Sequence, residues 1–388
     1  MIRRTAMALA WLAFVQAAPA QTWAPNEMQV STEPQLIDPE FSQRRMQLVW
    51  SDVAGRVWVA GIDRASGAIV PPDGRGQLVD VDGATGEDST YTFNGPEWVR
   101  GLAGDDIVYT KYPSGVAHTQ RSARIGIARD DGAGGWATQF LSPDRSRMAP
   151  YGSEDLDDPT PQITTVDNVG RHYVRGTGSA NTEVALPMVP NSNVPIRFVR
   201  GAAAALVVKD DGSGVQQAHH LDFDTLAFTR LTADAGSKQI AWMWRAPELG
   251  GEFQMAALVD SVELRVYRAG AGGWAPAFSV FAPSGRKLSS IEPFLWRGRS
   301  FLSMTATASP TRFPSEVWIA DLDAAAPQMK RITPLEPLLT RTDPEVLIVD
   351  GGVRVYYNRF AVTPDEPRPK ACATVACSQG LWMSDPGL

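Results

Sequence analysis

Hydrophobic positions along this chain fall in short bursts, rich in Val, Ile, Trp and Tyr, separated by Gly, Pro and Asp-Gly steps. That rhythm belongs to β-strands joined by tight turns. Leu48-Val49-Trp50 and Val57-Trp58-Val59-Ala60 flank Ala54-Gly55 and predict a hairpin. Residues 106–110 are expected to pair with 124–128, and Asp131-Gly132 then turns the chain into 136–141. The run 205–209 meets Asp211-Gly212, and 263–267 leads to Gly272-Gly273-Trp274, echoing Gly134-Gly135-Trp136. Residues 301–305 are expected to pair with 316–320, and 353–358 with 381–383. No stretch carries the apolar spacing of an amphipathic helix of useful length. The chain reads as all-β.

The bursts are grouped by a returning phrase. An acid or proline step opens a unit at Asp38-Pro39-Glu40-Phe41, Pro96-Glu97-Trp98, Asp158-Pro159, Glu292-Pro293-Phe294 and Asp343-Pro344-Glu345-Val346. Self-similar all-β units about fifty residues apart are the signature of propeller blades. Units begin near residues 38, 96, 158, 196, 240, 292 and 343, which predicts seven blades, or six or five if neighbouring units merge. The last unit, ending at Asp385, is one strand short. Residues 22–36 are expected to supply that strand and close the ring, making residues 21–388 one propeller domain.

Residues 1–20 stand apart. Arg3 and Arg4 precede an apolar run from Ala6 to Val15, then Ala18-Pro19-Ala20 before Gln21, the pattern of a cleaved secretory leader. The run is too short to span a bilayer, which takes about 20 residues. An exported protein, periplasmic or secreted, without membrane insertion and monomeric, is the expectation. Cys372 and Cys377 are the two cysteines, and in an exported protein such a pair most simply forms a disulfide. The net charge of −7 argues against nucleic acid, which is held by Lys and Arg on phosphates.

Two resemblances sit on these residues. Asp38-Pro39-Glu40-Phe41-Ser42, then Leu48-Val49-Trp50 and Val57-Trp58-Val59-Ala60-Gly61-Ile62-Asp63, resembles the TolB-like (WD40-like) periplasmic repeat, and Val317-Trp318-Ile319-Ala320-Asp321-Leu322-Asp323 echoes it. That resemblance implies a non-catalytic module binding a glycan or protein partner at its funnel face. Glu292-Pro293-Phe294 with Gly298-Arg299-Ser300-Phe301-Leu302, and Asp343-Pro344-Glu345-Val346 with Val355-Tyr356-Tyr357, is similar to blade openings of arabinanase-like furanosidase propellers. In that reading the protein is a glycoside hydrolase, with Asp38 as base, Glu292 as acid and Asp158 as a tuning carboxylate.

Inner propeller strands aim their starts at one end of the channel, so the repeated acids are candidates for a carboxylate ring. The set is Asp38, Glu97, Asp158, Glu292 and Asp343, with Glu40 and Glu345 alternating nearby. Crowded carboxyls split their pKa values, which is what acid–base hydrolysis of a sugar requires. Each is equally explained as a cap or turn device that accepts backbone N–H groups. Trp98, Trp242, Trp244 and Trp296 fall near blade openings and are candidates for stacking on a ligand. His219-His220 are adjacent and so face opposite sides of a strand, His118 and His172 are isolated, and no metal ligand set is assigned. The acid-rich segment 80–88 offers oxygen ligands for a structural calcium, against the simpler reading of a solvated turn; no other cofactor is expected. The nucleophile elbow, the phosphate-binding Gly-Lys-Ser/Thr loop and the dinucleotide fingerprint are all absent.

Overall fold

The computed structural model describes residues 26–84, 95–178, 180–187, 196–210, 212–308, 313–323, 325–362 and 375–388. The leader, Cys372 and part of the acidic segment 80–88 lie outside the described residues.

The strands form seven antiparallel sheets, each a meander of consecutive segments. Their first strands are Glu40–Ser42, Glu97–Arg100, Met148–Gly152, Arg197–Phe198, Lys238–Arg245, Arg286–Trp296 and Leu339–Val349, and these surround one central cavity. The chain is a seven-bladed β-propeller. The predicted hairpins form: 48–50 with 58–60, 107–110 with 125–128, 301–305 with 317–321, and 355–358 with 381–384. The closing strand is Asn26–Ser31, which pairs antiparallel with Ser378–Asp385 at the outer edge of blade 7. Among the described residues no helix is long and apolar enough to cross a membrane.

Each blade is covered on both faces by its neighbours, so its strands read as near-continuous apolar runs. Every one of the seven interfaces has its own hydrophobic cluster. Alternation along a strand divides side chains between them: Leu48 and Trp50 pack toward blade 7 while Val49 packs toward blade 2. Because no blade buries its faces alone, the ring is a single cooperative body.

The unit starts need one correction. Blade 3 begins at Met148–Gly152, ten residues before Asp158, which lies in the turn between that strand and Gln162–Val166. The Asp-Pro step there is a connection between strands, as Asp before Pro often is. In blades 6 and 7 the acid-proline steps sit inside the long first strands rather than at their starts.

The other candidate metal residues are engaged within the protein. Asp80 accepts hydrogen bonds from Tyr109 and from Lys111, both buried, so its carboxylate faces a resident cation. His172 bonds Asp167 at 2.9 Å, His219 lies 3.0 Å from the Gln217 carbonyl, and His118 stacks on Tyr112. Among the described residues no group of three or more potential ligands forms.

Candidate functional site

A backbone device repeated around the ring sets the site. Asp38, Ala149, Ser290 and Asp343 all have left-handed backbone, with φ of 54°, 47°, 46° and 50°. Two residues after each come Glu40, Tyr151, Glu292 and Glu345, and all four line the cavity. In blades 3, 6 and 7 the register against the next strand slips across this step. Such a bulge bends the strand and re-aims a side chain. Asp tolerates the left-handed region, whereas Ala149 and Ser290 hold it at a cost of about 1 kcal/mol or more. Strain of this kind persists where a site needs it.

The cavity holds about 710 Å³, a volume suited to a small ligand or the end of a larger one. Its walls differ. Blades 6, 7, 1 and 2 contribute Glu292, Asp343, Glu345, Asp38, Glu40 and Glu97. Blades 3, 4 and 5 contribute Tyr151, Phe198, Ile240 and Trp242, together with Arg197, Arg200, Glu154 and Asp155. One half of the funnel is therefore acidic and the other aromatic, with charges of both signs among its rings.

The acids are sunk in the funnel, and removal from bulk water is the largest effect on Asp38, Glu40, Glu97, Glu292 and Glu345. It holds the Asp38 carboxyl well above the usual carboxylate range, with the charge of Asp343 and a hydrogen bond to it adding to the rise. Glu40 is raised by burial, then by Glu97 and Glu345. Burial and Asp38 raise Glu97 against the opposing pull of Arg197. Glu345 is raised by burial, Glu292 and Asp343. Glu292 is pushed up to about 7 by burial, moderated by Arg197 and by a hydrogen bond from Glu345. Two carboxyl pairs, Asp38 with Asp343 and Glu292 with Glu345, thus stand in hydrogen-bond contact, and the neighbouring like charge adds to the rise of Asp38 and of Glu345.

Arg197 is the cation that reaches this crescent. Its guanidinium stands 4.2 Å from the Trp242 ring centroid and 5.0 Å from that of Tyr151, donates to the Tyr151 hydroxyl, and lies 3.8 Å from Glu292. Asn358, 1% exposed, fixes the acidic side: its Oδ1 accepts the Asp38 N–H at 2.9 Å and its amide donates to the Leu36 carbonyl at 2.7 Å. Ser303 hydrogen-bonds the Glu292 and Pro344 carbonyls, tying blade 6 to blade 7 beneath the acids. Sequence reading missed Tyr151, Arg197 and Asn358. Arg197 had a faint signal, standing just after Pro195 where other blades carry acid after proline.

Of the residues singled out from sequence, Asp38, Glu97, Glu292, Asp343, Glu40 and Glu345 come together in the cavity, with Trp98, Trp242 and Trp244. The tryptophans do not offer free faces. Trp98 and Trp244 are 2% and 6% exposed, donating to the Glu40 carbonyl and the Ser300 hydroxyl. Trp242 carries Arg197 on its ring. Trp296 is outside the cavity lining, packed between blades 6 and 7 beneath Arg297. Asp158 is also outside it, bound to Arg175 at 2.7 Å on its own blade. Because that pair is partly exposed, Asp158→Asn is expected to lower stability by no more than about 1 kcal/mol in urea denaturation.

No family model matches the chain, and no curated protein sequence does. Solved structures do. The dihydro-heme d1 dehydrogenase NirN is 11% identical with a TM-score of 0.50, the match covering 88% of this chain and 67% of NirN. Prolyl oligopeptidase B from Galerina marginata is 10% identical with a TM-score of 0.50, over 84% of this chain and 46% of that one. This chain therefore spans about half the length of that peptidase. TolB from Acinetobacter baumannii is 13% identical with a TM-score of 0.40, covering 87% and 78% of the two chains. At these identities the likeness is one of fold.

Proposed function

We propose that this protein is a binding module whose funnel seats an extended segment of a protein partner. A propeller is a scaffold that presents such a funnel, and here all seven blades contribute to it. The observation that carries the reading is the division of the cavity into an acidic and an aromatic half, with tryptophan faces covered. A sugar ring requires an open aromatic face to stack on, whereas a peptide uses backbone groups and side-chain pockets. Leu156, 58% exposed beside the cavity, adds apolar surface for a chain crossing the rim. We place the protein outside the cytoplasm, on its leader-like first twenty residues, with Cys372 bonded to Cys377.

Phage-displayed peptide selection on the purified mature protein tests this. Selected peptides are expected to bind with micromolar Kd and to lose at least tenfold on Ser289→Trp, which narrows the funnel without removing an acid. Asp158→Asn is expected to bind them unchanged. Equal binding to wild type and Ser289→Trp would move the docking site elsewhere.

A second reading, glycoside hydrolysis, draws on Glu292, whose carboxyl near 7 suits a general acid at neutral pH. Against it, Asp38 and Glu292, the base and acid of that reading, are each engaged by another carboxyl, Asp343 and Glu345, instead of facing a bond between them. Turnover of a glycan panel, lost in both Asp38→Asn and Glu292→Gln, would favour it.

A further inference from the structure

Outside the funnel, this fold matches its buried carboxylates with cations. Asp80 has Lys111, Asp52 has Arg56, Glu316 has Arg286, Asp234 has Lys238 and Arg265, and Glu27 has Arg341. Even at the funnel rim, Asp155 and Asp157 face Arg200. The acidic half of the cavity breaks that rule. Among the described residues Asp38, Glu40, Asp343 and Glu345 have no cation within 4.0 Å, and Glu292 has only Arg197 at 3.8 Å. Arg197 cannot serve the whole crescent, because its guanidinium is held between Tyr151 and Trp242 on the far wall.

Resting on the peptide reading above, we infer that the group anchoring the ligand is an alkylammonium or guanidinium on an apolar stem, a lysine or arginine side chain of the partner. The cation enters between the Asp38–Asp343 and Glu292–Glu345 pairs, and the stem lies along Ile240 and Phe198. The opposite wall already demonstrates its affinity for such a group, since Arg197 occupies a cation–π position on two rings there. The carboxyls of Asp38, Glu292 and Glu345 are all raised, so an arriving cation favours release of their protons to solvent. Glu40 and Glu97 from blades 1 and 2 reinforce the attraction, as does Glu154 from blade 3, pushed up to about 8 by burial, while Arg197 and Arg200 from blade 4 oppose it; the Tyr151 phenol, raised by burial, stays neutral. Affinity is therefore expected to rise from pH 5 to pH 8.

Isothermal titration calorimetry on the mature protein tests this, using acetyl-pentalysine amide, acetyl-pentaglutamine amide and spermidine. Runs in phosphate and in Tris separate proton release from binding heat. The expected result is binding of pentalysine with net proton release, and at least tenfold weaker binding with release abolished in Asp343→Asn/Glu345→Gln. Glu248→Gln, an exposed site outside the cavity lining, changes the net charge without removing a funnel acid and is expected to bind as wild type. Pentaglutamine binding as tightly as pentalysine, or pentalysine binding the double variant as tightly as Glu248→Gln, would overturn the inference. Spermidine binding tightly where pentalysine fails would assign the cation to a free polyamine and overturn the peptide as its carrier. Selected funnel peptides without Lys or Arg would also overturn it while leaving the binding-module reading intact; peptides that ignore Ser289→Trp would instead remove that reading.

Discussion

Glu27→Ala is expected to destabilise the propeller by about 3–5 kcal/mol, the cost of leaving a buried charge without its partner. Arg341, on the first strand of blade 7, has a side chain 0% exposed. Its Nε and Nη2 each donate to a Glu27 oxygen at 2.9 Å, in bidentate fashion. The remaining contacts are Glu336, partly exposed, and the Ser315 carbonyl. Glu27 belongs to the closing strand Asn26–Ser31, so this pair joins the first and last strands of the chain. Its loss leaves the buried guanidinium with only the partly exposed Glu336 carboxylate and loosens the ring's seam. Replacing both partners, as in Glu27→Leu/Arg341→Met, is expected to recover most of the stability, because the desolvation cost disappears along with the attraction. Urea denaturation of the three proteins checks this. A single-variant loss below about 1 kcal/mol would show that Glu336, which pairs with Arg341, holds the seam without Glu27.

The second large effect depends on pH. The Glu292 carboxyl rises from 4.5 to about 7 on folding. Between those values the folded state holds a proton that the unfolded chain releases, so the folded state loses stability as pH rises through that window. Asp38, Glu40, Glu97 and Glu345 are raised as well and act in the same direction. Asp52, Asp80, Glu183 and Asp234 are lowered by their cations and hydrogen bonds, so their contribution is lost only on acidification below the ordinary carboxylate range. Stability is therefore expected to peak near pH 4–5 and to decline toward pH 8. Glu292→Gln removes one source of the decline. The full shift corresponds to about 3 kcal/mol, and on the order of 2 kcal/mol after allowing for the water that reaches a side chain 25% exposed. The variant is expected to be more stable than wild type by that amount at pH 8 and equal to it at pH 4. Parallel denaturation curves at the two pH values decide; an equal offset at both would show that Glu292 stays ionised in the fold.

The hairpins were legible because each blade is a meander of adjacent segments, so hydrophobic bursts and turns carry the pairing. Strand closure was legible for a simpler reason: the last unit lacked a strand and residues 22–36 had none to join. The third blade was misplaced because Asp158-Pro159 has the same local chemistry as Asp38-Pro39 and Asp343-Pro344, yet serves as a connection. Trp296 followed an acid-proline step as Trp98 nearly does, but it stands at the far end of its strand, beyond the cavity that Glu292 and Phe294 on the same side reach. Tyr151 follows Pro150 with no acid before it, so no repeat marked it.

The sequence by itself determined the all-β class, the repeat, the seam between the chain's two ends and which acids recur at the blade openings. Those properties depend on turn chemistry and on contacts between neighbouring strands. Only the tertiary structure decided which acids meet in hydrogen-bond contact, that Arg197 lies across Tyr151 and Trp242, and that Asn358 holds Asp38 from 320 residues away. The physical reason is closure of the ring. Left-handed steps and bulges set the direction of each inner strand, and the curvature of all seven blades brings those side chains to one mouth, where burial and like charge act on them together.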